Sequence, residues 1–469
     1  MKWAKCILCV TVIAAQMTVA GCSSGNRVST EMDTYNEKTD YQYQFDSHDN
    51  EIRHNMTTDE DGNLYYMSGY YIYMYDAATG INTPLCNKQN CLHDKETDES
   101  KIKECNAYFP YMDSTNIRDD SIAYENGYIF ATYTSMDNQT SDAGKLWRKT
   151  IIRIKKDGSS REKVHTFTKS IQNEIIHRGY YYYTSDVFDE NNKETFSVCS
   201  YPLDGKGGEK TIYTAPDEEN GEEMRYNGIQ GYTAYGNHLY FQVHGVKGEK
   251  VTTIRYYCVD LNTNKVSELK TGDMAETDII YSLTFFNDKI IFDVIDDSKV
   301  QALNDDDDTF QEEVYTADLN GTNIKKAPIT VTYGYNMYSD GDHLIISDDN
   351  IHVVDNIINS DEEPDGKAKF DVYDKNFNLV DTFTENVKKE YENLSNHIGY
   401  YVPLGPADTS YYVKRNFEEG TAELYGGSKK VIGNINRKQF PRKRLAVIDQ
   451  SQAVKDYLKD PTNASYLIR

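Results

Sequence analysis

The chain has 469 residues, with 50 basic and 75 acidic side chains, a formal net charge of −25 and an isoelectric point near 4.8. That balance disfavours a nucleic-acid partner, because phosphate binding needs a basic face, and anionic lipid headgroups would repel the folded body. The 40 tyrosines, with many Val, Ile, Thr and Phe, favour strands over helices, and a mean hydropathy of −0.71 understates a core built from tyrosine rings.

At the N-terminus, Lys2 and Lys5 flank the start of the apolar run CILCVTVIAAQMTVA, which leads into Val19-Ala20-Gly21-Cys22. Residues 1–21 therefore read as a lipoprotein signal peptide. Small residues before a cysteine resemble a bacterial lipobox. The resemblance implies cleavage after Gly21, lipidation of Cys22 and anchorage at the outer face of the cell membrane, with the membrane met only through the acyl chains. An ordinary secretory signal with an incidental Cys22 is the alternative. Residues 22–48 read as the lipidated cysteine and a flexible polar stalk. Residues 49–460 are expected to form one domain, followed by a tail at 461–469.

Within that domain one phrase recurs: IYMYDAATGINTPL, IIRIKKDGSSREKV, VCSYPLDGKGGEKTIY, YYCVDLNTNKVSEL, VYTADLNGTNIKKA, FDVYDKNFNLVDTF and the weaker LAVIDQSQAVKDYL. Each is an alternating run, an aspartate, turn residues and a second run. The aspartates are Asp76, Asp157, Asp204, Asp260, Asp318, Asp374 and Asp449. A second hairpin phrase precedes each copy, as in SIAYENGYIFATYT and YTAYGNHLYFQV. Tight turns of Asp, Asn and Gly between alternating runs predict antiparallel hairpins. Four strands per unit, with the aspartates 47 to 81 residues apart, close to known blade lengths once loop insertions are allowed, and no helical periodicity between units, predict an all-β, seven-bladed β-propeller of four-stranded antiparallel blades. An open stack of sheets would leave long unpaired edges.

These phrases resemble the low-density-lipoprotein-receptor-like (YWTD-type) β-propellers, in particular the lipoprotein branch of Gram-positive bacteria. GYYYYTSD at 179–186 is similar to the Tyr-Trp-Thr-Asp signature, with Tyr at the Trp position. The resemblance spans about residues 50–457. It implies a propeller and extracellular binding, and it transfers no functional residue.

Between the first and second units the stretch PLCNKQNCLHDKETDESKIKECNAYF holds Cys86, Cys91, His93 and Cys105. The pattern C-x4-C-x-H-x11-C can close a Cys3His zinc site. An oxidising compartment instead favours a disulfide within the trio and one leftover thiol; free thiols are the third reading. A metal here would be structural, since four protein ligands leave no open position. Cys199 and Cys258 read as small buried residues.

Recognisable catalytic motifs are missing: there is no G-x-S-x-G, no H-E-x-x-H and no phosphate loop. NDDDDTFQEE at 304–313 lacks the Gly and spacing of a calcium loop. Long acidic loops between the middle strands of several units are expected to gather on one face, with Trp147 in one of them. The leading expectation is therefore a binding module for a peptide, protein or glycan at that face, without nucleic acid. The alternative is a propeller hydrolase or lyase acting on polysaccharide, for which Tyr111, Glu174, His177 and Tyr335 are the candidate groups. A third reading, an envelope-assembly subunit, would show a broad apolar patch.

Overall fold

The computed structural model describes most of residues 56–296 and 310–347, and beyond them 367–386, 397–398, 409–416, 421–428 and 443–448. Cys22 and Tyr111 lie outside the described residues.

Successive hairpins build seven antiparallel sheets in chain order. Sheet 1 is β1 (Met56–Thr58), β2 (Leu64–Ser68), β3 (Tyr71–Tyr75) and β4 (Asn82–Pro84). A 3-10 turn (His93–Lys95) and helix α1 (Glu99–Glu104) lie in the crossing to sheet 2. Sheet 2 is β5 (Asn116–Glu125), β6 (Tyr128–Ser141), β7 (Gly144–Lys155) and β8 (Arg161–Thr166). Sheet 3 is β9 (Ile171–His177), β10 (Tyr180–Phe188), β11 (Glu194–Pro202) and β12 (Lys210–Thr214). Sheet 4 has five strands: β13 (Glu218–Glu219), β14 (Glu222–Tyr235), β15 (His238–Lys247), β16 (Val251–Asp260) and β17 (Lys265–Glu268). Sheet 5 is β18 (Asp278–Phe286), β19 (Lys289–Asp296), β20 (Gln311–Asp318) and β21 (Lys325–Thr332). Sheet 6 is β22 (Asn336–Ser339), β23 (Leu344–Ser347), β24 (Lys367–Tyr373) and β25 (Leu379–Asn386). Sheet 7 is β26 (His397–Ile398), β27 (Thr409–Asn416), β28 (Thr421–Ser428) and β29 (Lys443–Ile448).

Sheets 1 to 6 pack face to face in the order of the chain, and the fold is an all-β propeller. One apolar cluster joins Leu64, Tyr66 and Ile72 of sheet 1 to Ile122, Ile129 and Ile154 of sheet 2. Similar clusters join sheet 2 to 3, 3 to 4, 4 to 5 and 5 to 6. First strands of neighbouring sheets run side by side, β1 by β5, β5 by β9, and β18 by β22. Several first strands carry a register shift partway along, in β5 between Arg118 and Ile122, in β14 between Gln230 and Thr233, and in β18 between Ile280 and Leu283. Such bulges sharpen local twist, as strands lining a central axis require.

The repeated aspartates have a local cause. Each of Asp76, Asp157, Asp204, Asp260 and Asp374 accepts, through Oδ1, the N–H two residues on, at 2.8 Å in every case. The side chain thus closes an Asx-turn at the tip of the outer hairpin. Asp318 instead pairs with Lys289 and accepts from Asn323 Nδ2. Asn126–Gly127 and Arg178–Gly179 turn the first hairpins of sheets 2 and 3 with positive φ at both positions, the geometry of a type I′ turn.

Sheet 7 departs from the expected register. Lys443–Ile448, read from the sequence as a third strand before Asp449, is the fourth strand of its sheet, paired with β28. Asp449 itself lies outside the described residues. The interrupted phrasing of residues 416–443 removes the alternation that fixes register elsewhere.

Candidate metal centre

The crossing from sheet 1 to sheet 2 folds back on its own sheet. After β4, Leu85 donates its N–H to Ile72 O at 2.8 Å, and the chain returns so that Phe109 N bonds Tyr70 O at 2.7 Å and Ile72 N bonds Ala107 O at 2.9 Å. Between these anchor points two residues take left-handed backbone, Asn90 (φ 64) and His93 (φ 53), and wrap the loop tightly. Helix α1 is capped by Asp98, which accepts the N–H of Ser100 at 3.0 Å. Cys105 follows at its C-terminus, donating its N–H to Ile102 O at 3.1 Å. Sheet 1 also holds the histidine turn with its own tyrosines. Tyr71 OH donates to His93 O at 2.9 Å and Tyr73 OH to Asp94 Oδ2 at 3.1 Å.

The outcome is convergence. One ligand atom from each of Cys86, Cys91, His93 and Cys105 lies within 4.8 Å of all the others. His93 Nδ1 is 3.6 Å from Cys105 Sγ, against about 3.6 Å for a sulfur–nitrogen edge of a tetrahedral zinc site built from ordinary Zn–S and Zn–N bonds. The sulfur–sulfur edges of such a site are about 3.8 Å, so movements of about 1 Å close the set. No disulfide joins any of the five described cysteines.

Protonation differs across the cluster: Cys86 and His93 are shifted toward the metal-binding form and Cys105 away from it. Burial opposes ionisation of Cys86, yet the N–H groups of Lys88 and Asn106 and the thiols of Cys105 and Cys91 hold its pKa below the ordinary thiol value. Burial, and then the neighbouring Cys86, push Cys105 up. Burial lowers His93, which keeps the imidazole neutral and its lone pair available at pH 7. The backbone amides aimed at Cys86 sulfur are the outer-shell donors that orient a thiolate toward a metal.

The other expected site residues are placed elsewhere. His177 is buried at the end of β9, and its Nε2–H donates to Gly236 O at 2.7 Å. Glu174 is bound by Lys149 Nζ at 2.6 Å and Thr132 Oγ1 at 3.2 Å, an ion pair between sheets 2 and 3. Tyr335 packs at the edge of the apolar cluster between sheets 5 and 6. Trp147, expected in a loop, is in strand β7 opposite Met136, because the β6–β7 hairpin extends well past the point where alternation fades. Cys199 and Cys258 are buried, as expected. The acidic residues 304–309 lie outside the described residues.

Sequence reasoning missed Tyr71, Tyr73, Asn106, Gly158 and Arg161 around the cluster. Gly158 sits in an Asp-Gly turn that reads as an ordinary hairpin tip, and only the fold shows what it abuts.

No protein-family model matches the chain, and neither does any curated protein. Among solved structures, the β-propeller domain of the trilobed protease from Pyrococcus furiosus is 13% identical with a TM-score of 0.38, covering 68% of this chain and 82% of that one. TolB from Acinetobacter baumannii is 13% identical with a TM-score of 0.31, covering 80% and 76%. Oligogalacturonate lyase from Vibrio parahaemolyticus is 10% identical with a TM-score of 0.35, covering 68% and 89%. Likeness at this level carries no argument about activity, and the propeller assignment stands on the order and packing of the sheets.

Proposed function

We propose that the chain is a lipid-anchored, extracytoplasmic, seven-bladed propeller that binds a peptide, protein or glycan, and that a structural zinc ion staples the crossing from its first sheet. The observation that carries the metal reading is the convergence of Cys86, Cys91, His93 and Cys105 from a loop whose backbone is pinned at both ends. Three soft thiolates and one imidazole favour zinc over hard cations, and a closed set of four leaves no position for substrate. The anchor rests on the run ending at Cys22, and the binding role on the resemblance to YWTD-type propellers. Exposed Val187 and Phe188, at the far end of the β10–β11 hairpin, are in keeping with a ligand face on that side.

Native and denaturing mass spectrometry of the intact protein, with thiol alkylation, tests the metal reading. The expected result is one zinc per chain, lost on denaturation, with Cys86, Cys91 and Cys105 alkylated only after its loss. A disulfide among those three, with no metal, overturns it.

A further inference from the structure

We propose that the metal centre is completed by the second sheet, with Arg161 as the counter-charge of a net-anionic metal–thiolate cluster. This inference rests on the zinc reading above and extends it to a residue that is not a ligand.

The β7–β8 hairpin of sheet 2 inserts its tip against the ligand loop. Gly158 O accepts from Asn106 Nδ2 at 2.8 Å and from Asn87 N at 3.2 Å, one bond from each side of the cluster. Gly158 also lies so close to Cys86 that a side chain there would overlap its backbone. Three residues on, at the start of β8, the Arg161 guanidinium lies 5.7 Å from the centre of the Tyr108 ring. Tyr108 is tied to the cluster in turn, its N–H bonded to Cys105 O at 3.1 Å.

Arg161 is a cation in want of an anion. It is half-buried beside the ligand loop, and partial desolvation lowers its pKa; Tyr133, Tyr108 and the Cys105 thiol act in the opposite sense. Among the described residues no carboxylate forms an ion pair with it. A buried charge is normally paired. The missing anion appears once zinc is bound, because a divalent ion held by three thiolates and a neutral imidazole keeps one net negative charge. Arg161 then stabilises the thiolate form of the ligands, and the loaded cluster compensates the half-buried guanidinium. A residue from sheet 2 thereby raises the affinity of ligands that all belong to the crossing loop.

The experiment compares zinc affinity of the intact wild-type protein, Arg161→Lys and Arg161→Met by competition with a chromophoric chelator. Arg161→Met is expected to weaken binding about 10- to 100-fold, the usual effect of losing an outer-shell partner, while Arg161→Lys, which keeps the charge, stays within about threefold. Wild-type affinity in Arg161→Met overturns the inference, and so does a loss in Arg161→Lys equal to that in Arg161→Met. If Arg161→Met does not fold, Arg161→Lys decides: retained affinity supports the counter-charge and a loss of tenfold or more overturns it. A wild-type protein that binds no zinc defeats the zinc reading itself, a result distinct from any of these.

Discussion

Replacing Gly158 with alanine separates a conformational cost from a packing cost, because the same sheet supplies a control. Gly127 and Gly158 both have positive φ, 80° and 71°, a region where an alanine side chain costs about 1–2 kcal/mol. Around Gly127 nothing lies within 4 Å of the position a Cβ would take, whereas at Gly158 that atom would meet Cys86 N at 2.8 Å, Cys86 Cα at 2.9 Å and Leu85 C at 3.0 Å. All three are backbone atoms that cannot rotate away. The hairpin must back off, which stretches the two bonds to Gly158 O, and the amide of Asn106, only 4% exposed, loses its acceptor at a cost of about 1–3 kcal/mol. Gly127→Ala should therefore cost about 1–2 kcal/mol and Gly158→Ala about 2–5 kcal/mol. Urea unfolding followed by tyrosine fluorescence at saturating zinc measures both. Equal losses in the two variants would refute the claim that the β7–β8 tip is packed against the metal loop.

Three other outcomes are expected. Lys149→Met strands Glu174 in a poorly hydrated site and should cost about 3–5 kcal/mol, much of it recovered in the double variant Lys149→Met/Glu174→Leu; chemical denaturation checks both, and an undiminished loss in the double variant would count against the pair. On β19 and β20, Asp293 and Glu312 are both buried, and burial together with the Asp293 charge pushes Glu312 up to about 11. A raised carboxyl holds its proton in the native state only, so its contribution is complete below about pH 4.5, the unfolded value, and is lost as pH rises toward 11. Unfolding free energy should thus fall by at most about 1.4 kcal/mol per pH unit above that point, and Glu312→Gln, which mimics the protonated acid, should flatten the slope; parallel pH profiles for the two proteins would show that the pair does not hold the proton. Finally, Cys22→Ala should abolish incorporation of a labelled fatty acid and release the protein from the membrane fraction, and unchanged labelling would place the lipid elsewhere or nowhere.

The repeat was legible because each unit spells out its own turn. Asp76 and its counterparts stand where an Asx bond is needed, and Asn126–Gly127 can adopt two left-handed angles in succession. Sheet 7 was misregistered because its phrases lack that punctuation. At the candidate metal centre the spacing of the cysteines and histidine marked a cluster but left disulfide, metal and free-thiol readings open, and their convergence is a property of the fold. Their surroundings were not legible, because Gly158 and Arg161 lie more than 50 residues from Cys105 and meet the loop only after two sheets have packed. Glu174 and His177 illustrate the converse. Polar residues on inner strands look available in a sequence, yet one serves an ion pair between sheets and the other a backbone carbonyl.

The cluster lies in the crossing that follows a short sheet. Sheet 1 has strands of 3, 5, 5 and 3 residues, while sheet 2 has strands of 10, 14, 12 and 6. A sheet that short forms few ladder bonds and offers little area to its neighbour, so its apolar face alone is a poor guarantee of register. Tyr65, Tyr66, Tyr71 and Tyr73 offset part of that deficit with large buried rings. The crossing loop offsets more of it, since residues 107–109 extend the pairing of β3 beyond the end of β4. The proposed metal at the base of this return would fix the loop without demanding further strand length. Gly158 of sheet 2 bonds Asn106 and Asn87 on either side of the cluster, so the zinc ion proposed above would secure both the short sheet and its seam with the next.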